Sequence, residues 1–105
     1  DVENVVASFG DLTILDSDAP FETPLNARVV RLLSAACEKA LGVKPGLCGM
    51  PSWTDAEPLH RKGLETVVFG AGELTSAHTG DEKMEAGELV KLALVLKELT
   101  ALATD

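Results

Sequence analysis

Glu65-Thr66-Val67-Val68-Phe69-Gly70-Ala71-Gly72 is a short, mostly apolar run that opens after Gly63 and closes on a glycine turn. β-Branched and aromatic residues bounded by glycines are the pattern of a strand covered on both faces, because no position is reserved for water. Upstream, Ser52-Trp53-Thr54-Asp55-Ala56-Glu57-Pro58 reads as a helix start. Either Thr54 or Asp55 can cap it, Thr54 and Glu57 have capping-box spacing, and Pro58 is tolerated in a first turn. His60-Arg61-Lys62 complements the dipole at the helix end, and Gly63 stops the helix. Downstream, a polar loop runs through His78 to Lys83. A helix over about 86–103 follows, with Leu89, Leu92, Val95, Leu96, Leu99 and Leu102 as its apolar stripe and Val90 and Leu94 broadening it.

Further out, Thr23 and Pro24 read as the cap and first residue of another helix. Leu25, Val29, Leu32, Leu33, Ala36, Cys37 and Ala40 give that helix its buried stripe, and Gly42 its left-handed stop. Residues 2–16 read as extended chain, with Val5-Val6-Ala7-Ser8-Phe9 and Leu12-Thr13-Ile14-Leu15 flanking a Gly10-Asp11 turn. Strands alternating with helices predict an α/β fold, an incomplete parallel-sheet layer with flanking helices. Both long helices have wide apolar faces and few strands to cover, so the sheet calls for structure from outside the chain.

The 105 residues fit one domain, and 46% hydrophobic with 25% charged residues is a globular balance. Seventeen acidic against nine basic side chains give a net charge of −8. That excludes a nucleic-acid partner, which needs clustered Lys and Arg, and an anionic membrane surface. No apolar run reaches the ~20 residues of a membrane span, and the acidic start at Asp1 and Glu3 is no secretory leader. Cys37 and Cys48 read as reduced thiols of a cytoplasmic protein.

No nucleophile elbow surrounds Ser52 or Ser76, and Gly70-Ala71-Gly72 lacks the third glycine and the Lys-Ser/Thr pair of a phosphate loop. His78-Thr79-Gly80-Asp81-Glu82 places an imidazole and two carboxylates in one loop. An imidazole is a good zinc ligand, but a closed site needs four ligands, so the loop taken alone reads as a solvated acidic turn. His60 is explained by helix-end charge.

Taken in order, Trp53-Thr54-Asp55-Ala56, Gly63, Thr66-Val67-Val68-Phe69-Gly70-Ala71-Gly72 and Ala77-His78-Thr79-Gly80-Asp81-Glu82 resemble the C-terminal part of the acetylornithine deacetylase and succinyl-diaminopimelate desuccinylase family. These are co-catalytic zinc amidohydrolases, a group that includes carboxypeptidase G and aminoacylase. The resemblance is strongest over residues 52–102. It implies that residues 1–22 are the end of a lid domain or the connection from it, and residues 23–105 the C-terminal part of a zinc-peptidase-like catalytic domain. His78 then matches a metal ligand, and Gly70, Ala71 and Gly72 match backbone lining the substrate pocket. Thr54 and Asp55 match the pocket wall, and no residue of this chain matches a catalytic one. The complete enzyme would use two zinc (or cobalt) ions to cleave the amide of an N-acyl amino acid or small peptide, with a possible homodimer through the lid.

Ala71 stands where Pro is common in the family, and Pro51 and Trp53 where many members have glycine, which leaves the acyl preference open. The family's bridging Asp, Glu-Glu pair and further His belong to the missing N-terminal part, and this chain contains no Glu-Glu dipeptide. The chain alone is expected to be inactive. The alternative is a noncatalytic α/β module that assembles with another chain, and a self-contained domain with coincidental motifs is the blander case.

Overall fold

Leu and Ala are the commonest residues of 28–41 and 86–104, and both segments close their backbone hydrogen bonds locally as helices. The computed structural model describes residues 2–105 and contains α1 (Val2–Ala7), α2 (Arg28–Leu41), α3 (Ala56–Arg61), a 3-10 turn (Leu74–Ser76) and α4 (Ala86–Thr104). α2 and α4 are the one pair of elements packed against each other among the described residues. They run antiparallel. The Arg28 guanidinium at the start of α2 donates to the Ala103 carbonyl near the end of α4 (3.4 Å), and Lys39 Nζ lies 2.7 Å from a Glu98 carboxylate oxygen. Between them Ala36, Cys37 and Val95 are buried, flanked by Leu33, Ala40, Leu41, Leu99 and Leu102. Ala36 is small enough to let the helices approach, and burial pushes the Cys37 thiol pKa up. Gly42 ends α2 at φ 70°, its N–H donating to the Glu38 carbonyl, the left-handed stop that its position predicts.

The expected α/β fold is not what forms: no residue among those described lies in a strand. A strand satisfies its backbone groups only through a neighbouring strand, and among the described residues no backbone–backbone hydrogen bond joins residues 65–70 to another segment. That run is instead an irregular connection tied to the start of α2. The Thr23 hydroxyl donates to the Thr66 carbonyl, and the Glu65 carboxylate accepts from the Val29 N–H (3.2 Å). Thr23 therefore does not cap α2. The helix begins four residues after Pro24, past a turn closed by Ala27 N–H on the Pro24 carbonyl, and a glutamate from far along the chain supplies its N-terminal acceptor.

The expected strand over Val5-Val6-Ala7-Ser8-Phe9 is likewise replaced, by α1 and a turn in which Ser8 and Phe9 amides bond back to Val5 and Val6. Leu12-Thr13-Ile14-Leu15 is irregular and exposed. Both segments lack a partner, so only local bonding remains to them. α1 buries no residue.

The molecule is extended, with a radius of gyration of 17.9 Å and extents of 55 × 35 × 20 Å. A compact chain of this length has a radius near 13 Å. Its accessible surface is 8477 Å², against about 5,600 Å² for a compact monomer of the same mass. No helix among the described residues is long and apolar enough to cross a membrane.

Candidate functional site

The loop before α4 is wound tightly by its own polar side chains. The Thr79 hydroxyl donates to the Ser76 carbonyl (2.7 Å) and accepts from the Asp81 N–H (3.3 Å), while the Glu82 N–H donates to the Thr79 carbonyl (3.2 Å). At its apex His78 has φ 62°, the one positive φ at a non-glycine among the described residues. Its backbone N–H donates to the Glu82 carboxylate at 2.9 Å. A left-handed backbone costs an L-residue about 1–2 kcal/mol, so the Glu82 bond and the Thr79 turn hold a conformation that histidine alone does not favour. The imidazole is thereby presented to solvent and makes no hydrogen bond within the described residues.

The glycine turn faces α4. Gly72 lies at φ 88° and its N–H donates to the Glu88 carboxylate (3.2 Å). Residues 69–72, Leu41, Glu88, Lys91, Leu92 and Val95 enclose a cleft of about 230 Å³. Glu88 and Lys91 are absent from the sequence reading of the site. Their signal was available, since both sit on the same side of the last helix as Leu92 and Val95, and charges at the end of an apolar stripe mark where packing opens. Gly72→Ala is expected to cost about 1 kcal/mol through backbone strain alone, because an added Cβ meets nothing closer than 3.9 Å. Gly70→Ala, with open space and no positive φ, is expected to leave the melting temperature unchanged. Thermal unfolding of the two variants checks the contrast.

Thr54 and Asp55 lie elsewhere, at the start of α3. The Thr54 hydroxyl accepts from the Ala56 N–H (3.2 Å), and Asp55 precedes the helix without a side-chain cap. Neither they nor His78 line the cleft beside the glycine turn. Glu57 does not reach back to complete a capping box. It is 8% exposed and turned toward residues 18–19 and Arg61, whose Nε is 3.6 Å from Oε1. The Trp53 indole N–H donates to Asp18, and Phe21 stacks on His60 at 4.3 Å and 16°. A shallow hollow bounded by Asp16, Ser17, Asp18 and Trp53 lies beside this contact. Nothing local in the sequence announces the Asp18–Glu57 pairing, which spans 39 positions.

The pairing has a sign in pH. The indole bond first, then a hydrogen bond from Glu57, lowers the Asp18 pKa. Burial first, then the hydrogen bond with Asp18, raises that of Glu57. The contribution of Glu57 is full below the ordinary glutamate range and is lost as pH rises through its raised value. That of Asp18 is full above the ordinary aspartate range and is lost as pH falls through its lowered value. Attachment of residues 18–21 to α3 is therefore strongest in weak acid. Fluorescence of Trp53, the sole tryptophan, titrated from acid to neutral pH, is expected to report release at the upper end. Glu57→Gln, which stays neutral and keeps an N–H donor, is expected to abolish that upper transition.

Among the described residues no group of three or more His, Cys, Asp or Glu side chains is placed to hold a metal ion, and Cys37 and Cys48 are free thiols. The side chains present do not fit a metal centre by themselves. His78 offers one exposed donor, and its neighbour Glu82 is already engaged.

A family model for peptidase family M20/M25/M40 matches residues 8–101. An uncharacterized metallohydrolase of Methanocaldococcus jannaschii is 38% identical over 86 residues, covering 82% of this chain and 21% of its own. A second, from Methanococcus maripaludis, is 35% identical over 86 residues, with 82% and 20% covered. A succinyl-diaminopimelate desuccinylase of Nitratiruptor sp. is 32% identical over 104 residues, 94% of this chain and 28% of its own. The chain thus spans about a fifth of the length of the first two relatives and just over a quarter of the third. No solved structure gives a significant match.

Proposed function

The chain belongs to peptidase family M20/M25/M40, and from that premise we propose that it is the C-terminal part of a metal-dependent hydrolase cleaving the amide bond of N-acyl amino acids or small peptides. The observation that carries this reading is the family match over residues 8–101, which contains the Trp53-to-Ala56, glycine-turn and His78 segments in order. The desuccinylase name borne by a relative is in keeping with it.

In this reading residues 1–22 end or lead from a lid, and residues 23–105 complete the catalytic domain. His78 supplies one ligand to a zinc or cobalt centre whose other ligands lie outside the chain, and Thr54 and Asp55 stand at the pocket wall. The turn at residues 70–72 seats the substrate by its backbone. The Gly72 N–H is taken by Glu88, whereas the Gly70 and Ala71 amides donate to nothing among the described residues. They are open to a carbonyl or carboxylate oxygen. The cytoplasm suits two unbridged thiols.

The test grafts residues 1–105 in place of the matched stretch of the Nitratiruptor desuccinylase. A folded chimera is expected to retain metal and hydrolyse succinyl-diaminopimelate, while the isolated chain does neither. Turnover by the isolated chain, or a folded chimera without hydrolysis, refutes the reading. The latter result would favour a noncatalytic module that assembles with another chain.

A further inference from the structure

The connection that carries the glycine turn is fastened at both ends. Upstream, the Glu65 carboxylate accepts from the Val29 N–H of α2 at 3.2 Å, and the Thr66 carbonyl accepts from the Thr23 hydroxyl. Downstream, the Gly72 N–H donates to the Glu88 carboxylate of α4 at 3.2 Å, across 16 positions. Glu88 stands three residues after Glu85, which caps the start of α4. A glutamate at that position commonly reaches back to the amide of the capping residue and closes a capping box. Here its carboxylate leaves the helix start and reaches the turn. Gly72 is the left-handed residue of that turn, at φ 88°. A peptide unit is planar, so holding the Gly72 N–H also holds the Ala71 carbonyl. The Ala71 and Gly70 amides follow one and two residues back, and neither donates to anything among the described residues. The three residues line the cleft together with Leu41, Leu92 and Val95.

We propose that Glu88 is a positioning residue for substrate: through Gly72 it keeps the Gly70 and Ala71 N–H groups in one orientation, ready for an acceptor oxygen of the ligand. The inference rests on the reading of this turn as the seat of the substrate. Glu88 acts on the turn and leaves the ligand untouched. Two free donors serve an acceptor only while they are held still. A turn released from Glu88 samples several orientations, and the ligand must then order it on binding, which costs affinity. The ordering is needed equally for substrate and transition state, so its loss falls on KM and spares kcat. Reach and an acceptor oxygen are what the role requires, and charge is secondary. Glutamine keeps both, whereas aspartate keeps the charge and is one methylene shorter.

The test measures initial rates on succinyl-diaminopimelate in the chimera that carries residues 1–105 in the Nitratiruptor desuccinylase. Glu88→Ala is expected to raise KM about five-fold with kcat and the melting temperature little changed. Glu88→Asp is expected to behave like Glu88→Ala, and Glu88→Gln to restore KM to within about two-fold of wild type. Glu85→Ala removes a carboxylate from the same helix end, one that makes no cap bond, and is expected to leave both constants unchanged. A weakened fold lowers the active fraction, hence kcat and the melting temperature, so a rise confined to KM separates positioning from stability. Should Glu88→Ala fail to fold, the contrast between Glu88→Asp and Glu88→Gln decides. An unchanged KM in Glu88→Ala, a loss confined to kcat, or a Glu88→Gln as impaired as Glu88→Ala overturns the proposal. Each of these leaves the hydrolase reading standing, because the wild-type chimera still turns over. A folded wild-type chimera without hydrolysis removes that reading and the proposal with it.

Discussion

Val95→Asp is expected to abolish the cooperative thermal transition of the isolated chain and most of its helical circular-dichroism signal. Val95 is 0% exposed and stands between Ala36 and Cys37 of the facing helix. A carboxylate there would have to shed its water among apolar side chains, and the neutral acid would still have to bury an unpaired polar group. The margin against such a loss is thin. The unfolded chain exposes about 16,000 Å² on the usual mass scaling, so a folded surface of 8477 Å² buries less than half of it, where a domain of even 60 residues buries about 60%. Val95→Ala, which removes two methyl groups from the same site, is expected to cost about 2 kcal/mol and to lower the midpoint without erasing it. Leu89→Asp changes a half-exposed flank and is expected to preserve the transition. If Val95→Asp melted like the wild type, the α2–α4 contact would not be what holds the chain together.

The second large effect concerns His78 in the grafted enzyme. Replacing it with Asn is expected to lower turnover by about 10³-fold or more and to reduce retained metal. Asparagine is the informative substitution, because it accepts the left-handed backbone that His78 adopts at φ 62° and keeps the N–H that bonds Glu82. The loop is then preserved while the imidazole is lost. His78→Ala removes the ring but adds backbone strain, so a larger destabilisation with Ala than with Asn, at equal loss of activity, separates the loop's conformation from the ring's chemistry. Metal analysis alongside rate measurement checks both. Full metal content and activity in His78→Asn would remove this residue from the site.

What the sequence discloses follows from how local each interaction is. α4 is legible because Leu92, Val95, Leu99 and Leu102 recur at the helical period, and its observed bounds, Ala86–Thr104, differ by one residue from the periodic stretch. Gly42 is legible because one residue carries the conformational requirement. The run at residues 65–70 is misread as a strand because a strand is a property of two segments, and only one of them is here. Thr23 is misassigned for a related reason: its hydroxyl prefers the Thr66 carbonyl, 43 positions away, to the adjacent helix. At the site, the motifs locate His78 and the glycine turn in sequence, but neither the positive φ of His78 nor the engagement of Gly72 by Glu88 is visible without coordinates. The Asp18–Glu57 contact depends on a fold-back that no periodicity encodes.

The carboxylate of Glu65 that completes the first turn of α2 through Val29 has one more use. Glu65 lies five residues ahead of the glycine turn, so anything that tugs on that turn pulls on the acceptor of the Val29 amide. The nitrogen-bound proton of Val29 is thus a natural spectroscopic gauge. Its chemical shift and deuterium uptake would register movement at the turn from a position remote from it, with no dye or label attached.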